Sequence, residues 1–431
     1  MADIVFAFDA ALDRPLPVPS GAPADVVDAF ALAPWEALEA AVTTARQARA
    51  AALVLFGSTL DPLRASPAQA ARLRTTILAL AADGCRTVWI ADDATDCANV
   101  ARALSEPAGL SFVTPVAPQR LDVRGLAVEI CSARGPAVAA SGAGHLVPSF
   151  ASAHSSLLPA ERRVIVGWDD AWTPLHAEGS SPMHGLRAPV PAGSTPPSGT
   201  LFVWGSRRVQ APPAQVHCLP ALQARSAQEI GAGACGLVTL TNLAPVGVPA
   251  SALSPHPALA TAAVAATSPL LSAAGDGRSV WREVPTHRVV WRTLSLESLS
   301  GDDASLADTI WGALEGIAPD PAGPLHVVRV AVDCGGSLAR RVHVGEISAE
   351  TLAHVRPLFD SRAGRIWCQE IEADRGEALQ ALARNASTSA SGTTASFASL
   401  LAERVMEAEK SGASTAPREA AWLALELMES T

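Results

Sequence analysis

Short apolar segments alternate with longer alanine-rich segments over residues 1–116. The apolar segments predict strands, at Ile4–Phe8, Leu53–Phe56, Thr87–Ala91 and Leu110–Thr114. The alanine-rich segments predict helices, at Trp35–Ala51, Pro67–Ala82 and Cys97–Ser105. Apolar strands separated by helices of this length are typical of a buried, largely parallel sheet, so the predicted fold class is α/β.

The pattern changes after Arg120, where strands follow one another without helices between them. These strands are predicted at Leu121–Cys131, Arg163–Gly167, Thr200–Trp204, Val216–Leu219 and Gly236–Leu240. They indicate a second sheet packed on the first, in a four-layer α-β-β-α sandwich. Residues 173–200 are rich in Pro, Gly and Ser and predict a long loop whose role the sequence leaves open.

A smaller unit with its own alternation follows Val284. Strands are predicted at 287–297, 325–334 and 365–373, with helices at 303–317 and 348–359 between them. This order predicts a compact α+β domain. We therefore divide the chain into a first domain at 1–284, a second at 285–384, a flexible linker at 385–395 and a helical tail at 396–431.

The tail carries two apolar stripes at helical spacing. The first consists of Phe397, Leu400, Leu401 and Val405, and the second of Trp422, Leu423 and Leu427. Helices this short are marginal alone and must bury such stripes against something. The stripes bind either the body of the chain or a partner, and the preceding linker favours a partner.

Composition and charge narrow the function. A net charge of -10 gives the chain no general electrostatic attraction to DNA or to an anionic membrane. The seven cysteines contain no C-x-x-C pair, so neither a zinc knuckle nor a disulfide framework is predicted, and a reducing cytoplasm is expected. The acidic start does not look like a signal peptide, and no apolar run is long enough to cross a bilayer.

Carboxylates are the candidate groups for a functional site, because many of them directly follow predicted strands. They are Asp9, Asp13, Asp61, Asp92, Asp93, Asp96, Asp169 and Asp170. Oxygen ligands of this kind suit Mg²⁺, but Asp at strand ends also caps helices and turns. The ten histidines show no ligand spacing, and neither Ser58 nor Ser206 lies in a nucleophile elbow.

Three motifs near the start resemble those of the SbcD and YhaO DNA repair exonucleases. The segment FDAALDRPL is similar to their opening motif Asp-x-His-Leu-Asp-x-Pro-Leu, with Ala11 where the metal-binding His belongs. In LVLFGSTLD, Gly57 and Asp61 match, but Ser58 replaces the metal-bridging Asp. In TVWIADDATD, Asp96 closes the motif, while Ala94 and Thr95 replace the ligand Asn and the catalytic His.

The resemblance continues in order to about residue 380. Trp168 in RRVIVGWDD stands where the family has a metal His, and Ser206 and Arg208 in LFVWGSRR replace two more. The closest stretch is Leu219–Leu240, with matches at Pro220, Leu222, Gln223, Arg225, Glu229, Gly231, Cys235 and Gly236. It implies a calcineurin-like metallophosphoesterase fold followed by a capping domain.

The resemblance also implies a pseudoenzyme. The family's two cations need a bridging carboxylate and several imidazoles, whereas only Asp9 remains and residues 1–144 contain no histidine. We expect no metal, no other cofactor and a vestigial site made of Asp9, Asp61, Asp96 and Arg208. A buried carboxylate without its metal needs another cation, so Arg207 or Arg208 is expected to pair with Asp9, Asp61 or Asp96.

The partner implied is a coiled-coil ATPase of the SbcC or YhaN kind, gripped by the helical tail, with DNA contacted only through that complex. One alternative is an active exonuclease that binds Mn²⁺ or Mg²⁺ with oxygen ligands alone. The other is a DNA-binding clamp without chemistry. The sequence does not decide whether the chain forms a homodimer.

Overall fold

The structure is a computed structural model. It describes residues 2–19, 21–123, 125–132, 162–168, 200–207, 216–226, 229, 233–240, 279–296, 303–315, 317, 323–332, 341–342, 345–360, 365–373, 400–401 and 404. Strands and helices alternate at first, as the sequence predicts. The elements up to the fourth strand are β1 (Ala2–Phe8), α1 (Ala24–Gln47), β2 (Ala52–Phe56), α2 (Pro67–Ala82), β3 (Arg86–Ile90), α3 (Ala94–Ala103) and β4 (Leu110–Val113).

The strands that follow belong to the two large sheets, and a smaller unit comes last. The strands are β5 (Gln119–Val123), β6 (Leu126–Ser132), β7 (Arg162–Trp168), β8 (Thr200–Gly205), β9 (Val216–Leu219), β10 (Ala234–Leu240) and β11 (Ser279–Pro285). The smaller unit consists of β12 (Val289–Leu296), α4 (Asp303–Glu315), β13 (Leu325–Val332), α5 (Glu346–Asp360) and β14 (Ile366–Ala373).

The first sheet has six strands in the order β11-β10-β1-β2-β3-β4. Strands β1 to β4 are parallel, while β10 runs antiparallel to both β1 and β11. One face packs on the three helices, where Leu53, Leu55 and Trp89 meet Leu38 and Leu73. This is the buried, mainly parallel α/β sheet that the alternation of apolar strands and helices predicts.

The second sheet has five strands in the order β5-β6-β7-β8-β9, parallel from β6 onward. It packs face to face with the first sheet, and Phe6 and Val54 share one core with Val128, Val164 and Val203. Residues Leu121–Cys131, predicted as one strand, form the hairpin β5-β6 instead. Gly125 makes the turn at φ +82°, a conformation that glycine adopts without steric cost.

The smaller unit is a three-stranded sheet in the order β12-β13-β14, with all strands parallel. Helices α4 and α5 pack on one face, where Ile310 and Val355 meet Val330. Strands connected by crossover helices in this way are of α/β type, so the α+β prediction for this unit is wrong. The opposite face rests on α1, through Phe30 and Trp367.

Helix α1 starts at Ala24, eleven residues before the predicted Trp35. Its first part, with Val26 and Phe30, packs on the smaller unit, and the part beyond Pro34 packs on the first sheet. Pro34 lies inside the helix, where proline normally breaks a helical pattern, and this is why the first part was missed. The two cores are therefore joined by one helix.

No described helix is long and apolar enough to span a membrane. In the tail, Leu400, Leu401 and Arg404 are helical, and Leu400 is 59% exposed. The remaining predicted tail residues, the linker and the loop at 173–199 lie outside the described residues. These tail residues are Phe397, Val405, Trp422, Leu423 and Leu427.

Candidate functional site

The loop after β1 carries Asp9 at the carboxyl ends of the parallel strands of the first sheet. Asp9 and Ala11 both have left-handed backbone conformations, at φ 54° and 45°, which cost energy for residues other than glycine. Backbone hydrogen bonds hold this shape: the Asp9 N–H donates to the Phe56 carbonyl at 2.9 Å and the Ala11 N–H to that of Ser58 at 2.7 Å. The loop after β1 is thus fastened to the loop after β2.

Arg207, two residues beyond β8, forms an ion pair with Asp9. Its Nε and one terminal nitrogen both approach Oδ2 of Asp9. The side chains are 11% and 3% exposed, so this is a buried pair. The arginine expected beside a carboxylate of this group is therefore Arg207, whereas Arg208 lies outside the described residues.

Two further charges extend the pair into what we call the charged network, Asp9, Arg207, Glu229 and Arg225. Nη1 of Arg207 lies 3.4 Å from Oε1 of Glu229, and Oε2 of Glu229 accepts the Arg225 N–H at 3.0 Å. The Arg225 guanidinium donates to the carbonyls of Arg14 and Pro15, at 2.9 and 2.7 Å. Two carboxylates and two guanidinium groups balance one another at the end of the sheet.

Burial makes each charge in this network depend on the others. Burial raises the pKa of the Asp9 carboxyl, and the Arg207 guanidinium acts against that rise. Burial also raises the pKa of Glu229, again opposed by Arg207, and it lowers the pKa of Arg225. Within the described part of the chain, Oδ1 of Asp9 has no hydrogen-bond partner.

The predicted site residues Asp61 and Asp96 lie in a different environment from Asp9. Oδ1 of Asp61 accepts the Leu63 N–H at 2.9 Å, and its carboxylate lies 3.4 Å from Arg64, as in a turn. Burial raises the pKa of Asp96, and the charges of its acidic neighbours Asp92, Asp93 and Asp61 add to this rise. Asp9 is therefore paired with Arg207, whereas Asp61 and Asp96 belong to a group of acidic residues that we call the acidic edge.

Asp93, within this acidic edge, begins helix α3. Its side chain accepts the N–H groups of Thr95 and Asp96 at 2.7 and 2.8 Å, which is a helix N-cap. Among the residues that the structure describes, no three His, Cys, Asp or Glu side chains are grouped so that they could hold a metal ion.

Aromatic rings fill the space between the two sheets below Asp9. The ring of Trp168, at the end of β7, lies 6.1 Å from that of Phe56, which lies 5.2 Å from that of Phe8. Gly205 leaves room for Phe8, because a Cβ at this position would lie 2.3 Å from the ring. Trp168, which takes the place of a metal-binding His in the resembled motif, therefore packs against the core.

Gln223 is a motif match in the sequence, and in the structure it lies between the two units. Its side chain is buried, donates to the Val289 carbonyl at 2.8 Å and accepts the Arg288 N–H at 2.8 Å. Nε1 of Trp291 donates to the neighbouring Ala224 carbonyl at 3.2 Å. A lone Gln between apolar residues was the one sequence signal for this role.

No model of a protein family matches the chain, and no curated protein matches it significantly.

Proposed function

We propose that this chain is a non-catalytic homologue of the SbcD and YhaO exonuclease subunits and serves as the scaffold for a coiled-coil ATPase. The observation that carries the proposal is the ion pair between Asp9 and Arg207. Asp9 is the one metal ligand of the resembled motifs that this sequence retains. Its charge is neutralised by a side chain of the same chain.

The chemistry of a two-metal phosphoesterase requires free carboxylate oxygens at the site of the cations. A guanidinium group stays protonated in proteins and has no lone pair to bind a metal. A cation at Asp9 would be repelled by the adjacent positive charge of Arg207, which also contacts Glu229 at 3.4 Å. This supports a site that has exchanged its metals for an internal cation.

The proposal includes the four-layer sandwich of the metallophosphoesterase fold. The alternate residues Ile130 and Val164 face the core between the sheets, so Cys131 and Ile165 face outward. Each of these outward residues is only 8% exposed. Their burial supports a further layer over the outer face of the second sheet.

The tail is the proposed ATPase-binding element. Leu400 lies in a helical stretch and is 59% exposed, as an apolar residue awaiting a partner would be. Because the chain has a net charge of -10, we propose that it contacts DNA only within the complex with the ATPase.

Metal content and hydrolysis test the loss of catalysis. We expect the full-length protein, incubated with Mn²⁺ or Mg²⁺ and then desalted, to hold no stoichiometric metal and to hydrolyse neither DNA ends nor a chromogenic phosphodiester. Metal-dependent turnover that is lost in Asp9→Ala would instead establish the active-exonuclease alternative.

Co-purification with the coiled-coil ATPase of the same genome tests the scaffold role. We expect the full-length protein to retain the ATPase, and Leu400→Glu to lose it. Leu63→Glu is the matched control, since Leu63 is an exposed leucine (88%) outside the tail, in the loop after β2. Loss of the ATPase from both variants, or retention by both, would contradict the assignment of the tail. Steeply salt-dependent DNA binding by the isolated chain would favour the clamp.

A further inference from the structure

We infer that residues 221–226 and the charged network form a joint that couples the loop around Asp9 to the docking of the smaller unit. Breaking the ion pair on one side should loosen the β12 strand on the other. The inference rests on contacts within this chain and holds whether or not an ATPase is the partner.

The joint is held on the side of the first sheet by the loop after β1. The Leu222 N–H donates to the carbonyl of Phe8, the residue before Asp9, at 2.8 Å. Glu229 accepts the Arg225 N–H at 3.0 Å and also contacts Arg207, the partner of Asp9. The position of Arg225 therefore depends on the ion pair through one shared carboxylate.

The same few residues are held on the other side by the start of the smaller unit. The Thr286 hydroxyl donates to the Leu222 carbonyl at 2.7 Å. The Gln223 side-chain oxygen accepts the N–H groups of Arg288 and Val289, at 2.8 and 3.2 Å. The residues of the joint thus contact both units.

The joint has little room to absorb a displacement. A Cβ at Gly233 would lie 2.2 Å from the Leu222 carbonyl oxygen, so the two backbones are in close contact. The Gly233 carbonyl in turn accepts the Thr286 N–H at 2.9 Å. Closely packed interiors transmit a shift of one segment to its neighbours.

A second route runs through the loop between β1 and α1. Arg225 donates to the carbonyls of Arg14 and Pro15, which precede Leu16. Leu16 is buried in the core that joins α1 to the smaller unit, together with Phe30 and Val289. Arg225 is therefore a positioning residue for both the joint and the core behind it.

Hydrogen–deuterium exchange on the full-length protein tests the coupling. We expect Arg207→Gln to speed exchange of the amides of Val289 and its neighbours by about tenfold or more, because the smaller unit opens more often. The matched control is Arg163→Gln, which removes the ion pair with Glu129 (2.9 Å) on the second sheet. Unchanged exchange in Arg207→Gln, or an equal increase in both variants, would overturn the inference.

The coupling must also act in reverse, since energetic coupling between two sites is reciprocal. Gln223→Leu removes the contacts with Arg288 and Val289 but leaves the charged network in place. We expect faster exchange of the Ala11 and Leu12 amides, which bond to the carbonyls of Ser58 and Thr59. Unchanged exchange there would sink the proposal.

A milder variant keeps the test decisive if Arg207→Gln does not fold. Glu229→Gln retains an oxygen for the Arg225 N–H and loses the charge that faces Arg207. It should raise exchange at Val289 in the same direction and by a smaller factor. No increase at Val289 in the folded Glu229→Gln protein would contradict the coupling.

Discussion

The imidazole of His217 stacks on the indole of Trp281, with ring centroids 4.7 Å apart and an angle of 13° between the planes. His217 lies in β9 and Trp281 in β11, the edge strands of the second and first sheets. Gly236 makes room for the indole, since a Cβ there would lie 2.2 Å from it. The stack closes one side of the sandwich with a titratable ring.

Stability should fall as the pH drops because of His217. Burial lowers its pKa from the ordinary 6.5 to about 4, so the unfolded chain takes up the proton first. The contribution is complete above about pH 6.5 and is lost as the pH falls toward 4, by on the order of 3 kcal/mol. Urea unfolding at about pH 7.5 and pH 4.5 measures it.

The pH dependence should become weaker in His217→Gln. Part of the pH dependence of stability remains in this variant, because burial also lowers the pKa of His326 to about 4. His354→Gln, at an exposed position of α5, is the control and should keep the wild-type dependence. Identical pH profiles for His217→Gln and the wild type would show that the stack does not carry the effect.

Removal of Arg207 should be strongly destabilising. Arg207→Met leaves the carboxylate of Asp9 buried without its counter-ion, at a cost of about 3–5 kcal/mol in the free energy of unfolding. The double variant Asp9→Asn/Arg207→Met should recover much of this loss, and a double-mutant cycle at neutral pH measures the coupling. Arg64→Ala breaks the exposed pair with Asp61 and should cost about 0–1 kcal/mol. Equal costs for Arg207→Met and Arg64→Ala would contradict a buried ion pair between Asp9 and Arg207.

Gly205→Ala should also destabilise the fold. The added methyl group would clash with the Phe8 ring at 2.3 Å, and overpacking of this kind costs roughly 1–3 kcal/mol. Gly312→Ala, inside α4, meets no atom within 4 Å and should stabilise by about 0.5–1 kcal/mol. Thermal unfolding of both variants checks the opposite signs, and a shared sign would contradict the packing described for Phe8.

Substitution of Phe30 tests whether the first part of α1, which the sequence did not predict, packs on the smaller unit. Its ring packs edge-on against Trp291 at 5.6 Å and is fully buried. Phe30→Ala should cost about 3–5 kcal/mol in the free energy of unfolding. Leu32→Ala, 46% exposed on the same helix, should change it little. Similar small effects from both would mean that α1 does not join the two units.

Elements with complete local signals could be predicted closely from the sequence. Helix α2 has the predicted bounds because Ser66, Pro67 and Gln69 form its start within four residues, as a capping box with proline at the first position. Strand β9 likewise has the predicted bounds, Val216–Leu219. In these segments the local pattern and the final fold agree.

Strand β11 was missed because its surroundings are set by distant residues. Its exposed and buried positions follow from pairing with β10 and from the contact of Trp281 with Phe6, which is far away along the chain. The sequence nearby contains charged residues and a proline, which do not mark a core strand.

For the candidate site, the sequence by itself determined that residues 1–144 contain no histidine, and the resemblance to metal-dependent exonucleases predicted that Asp9 would need another positive charge. It could not choose between Arg207 and Arg208, because that choice depends on the turn after β8. The two charges that meet are 198 residues apart. Only the tertiary structure brings Arg207 to Asp9 and Gln223 to Val289, since these contacts arise when separate sheets pack, and no local pattern records which distant groups then become neighbours.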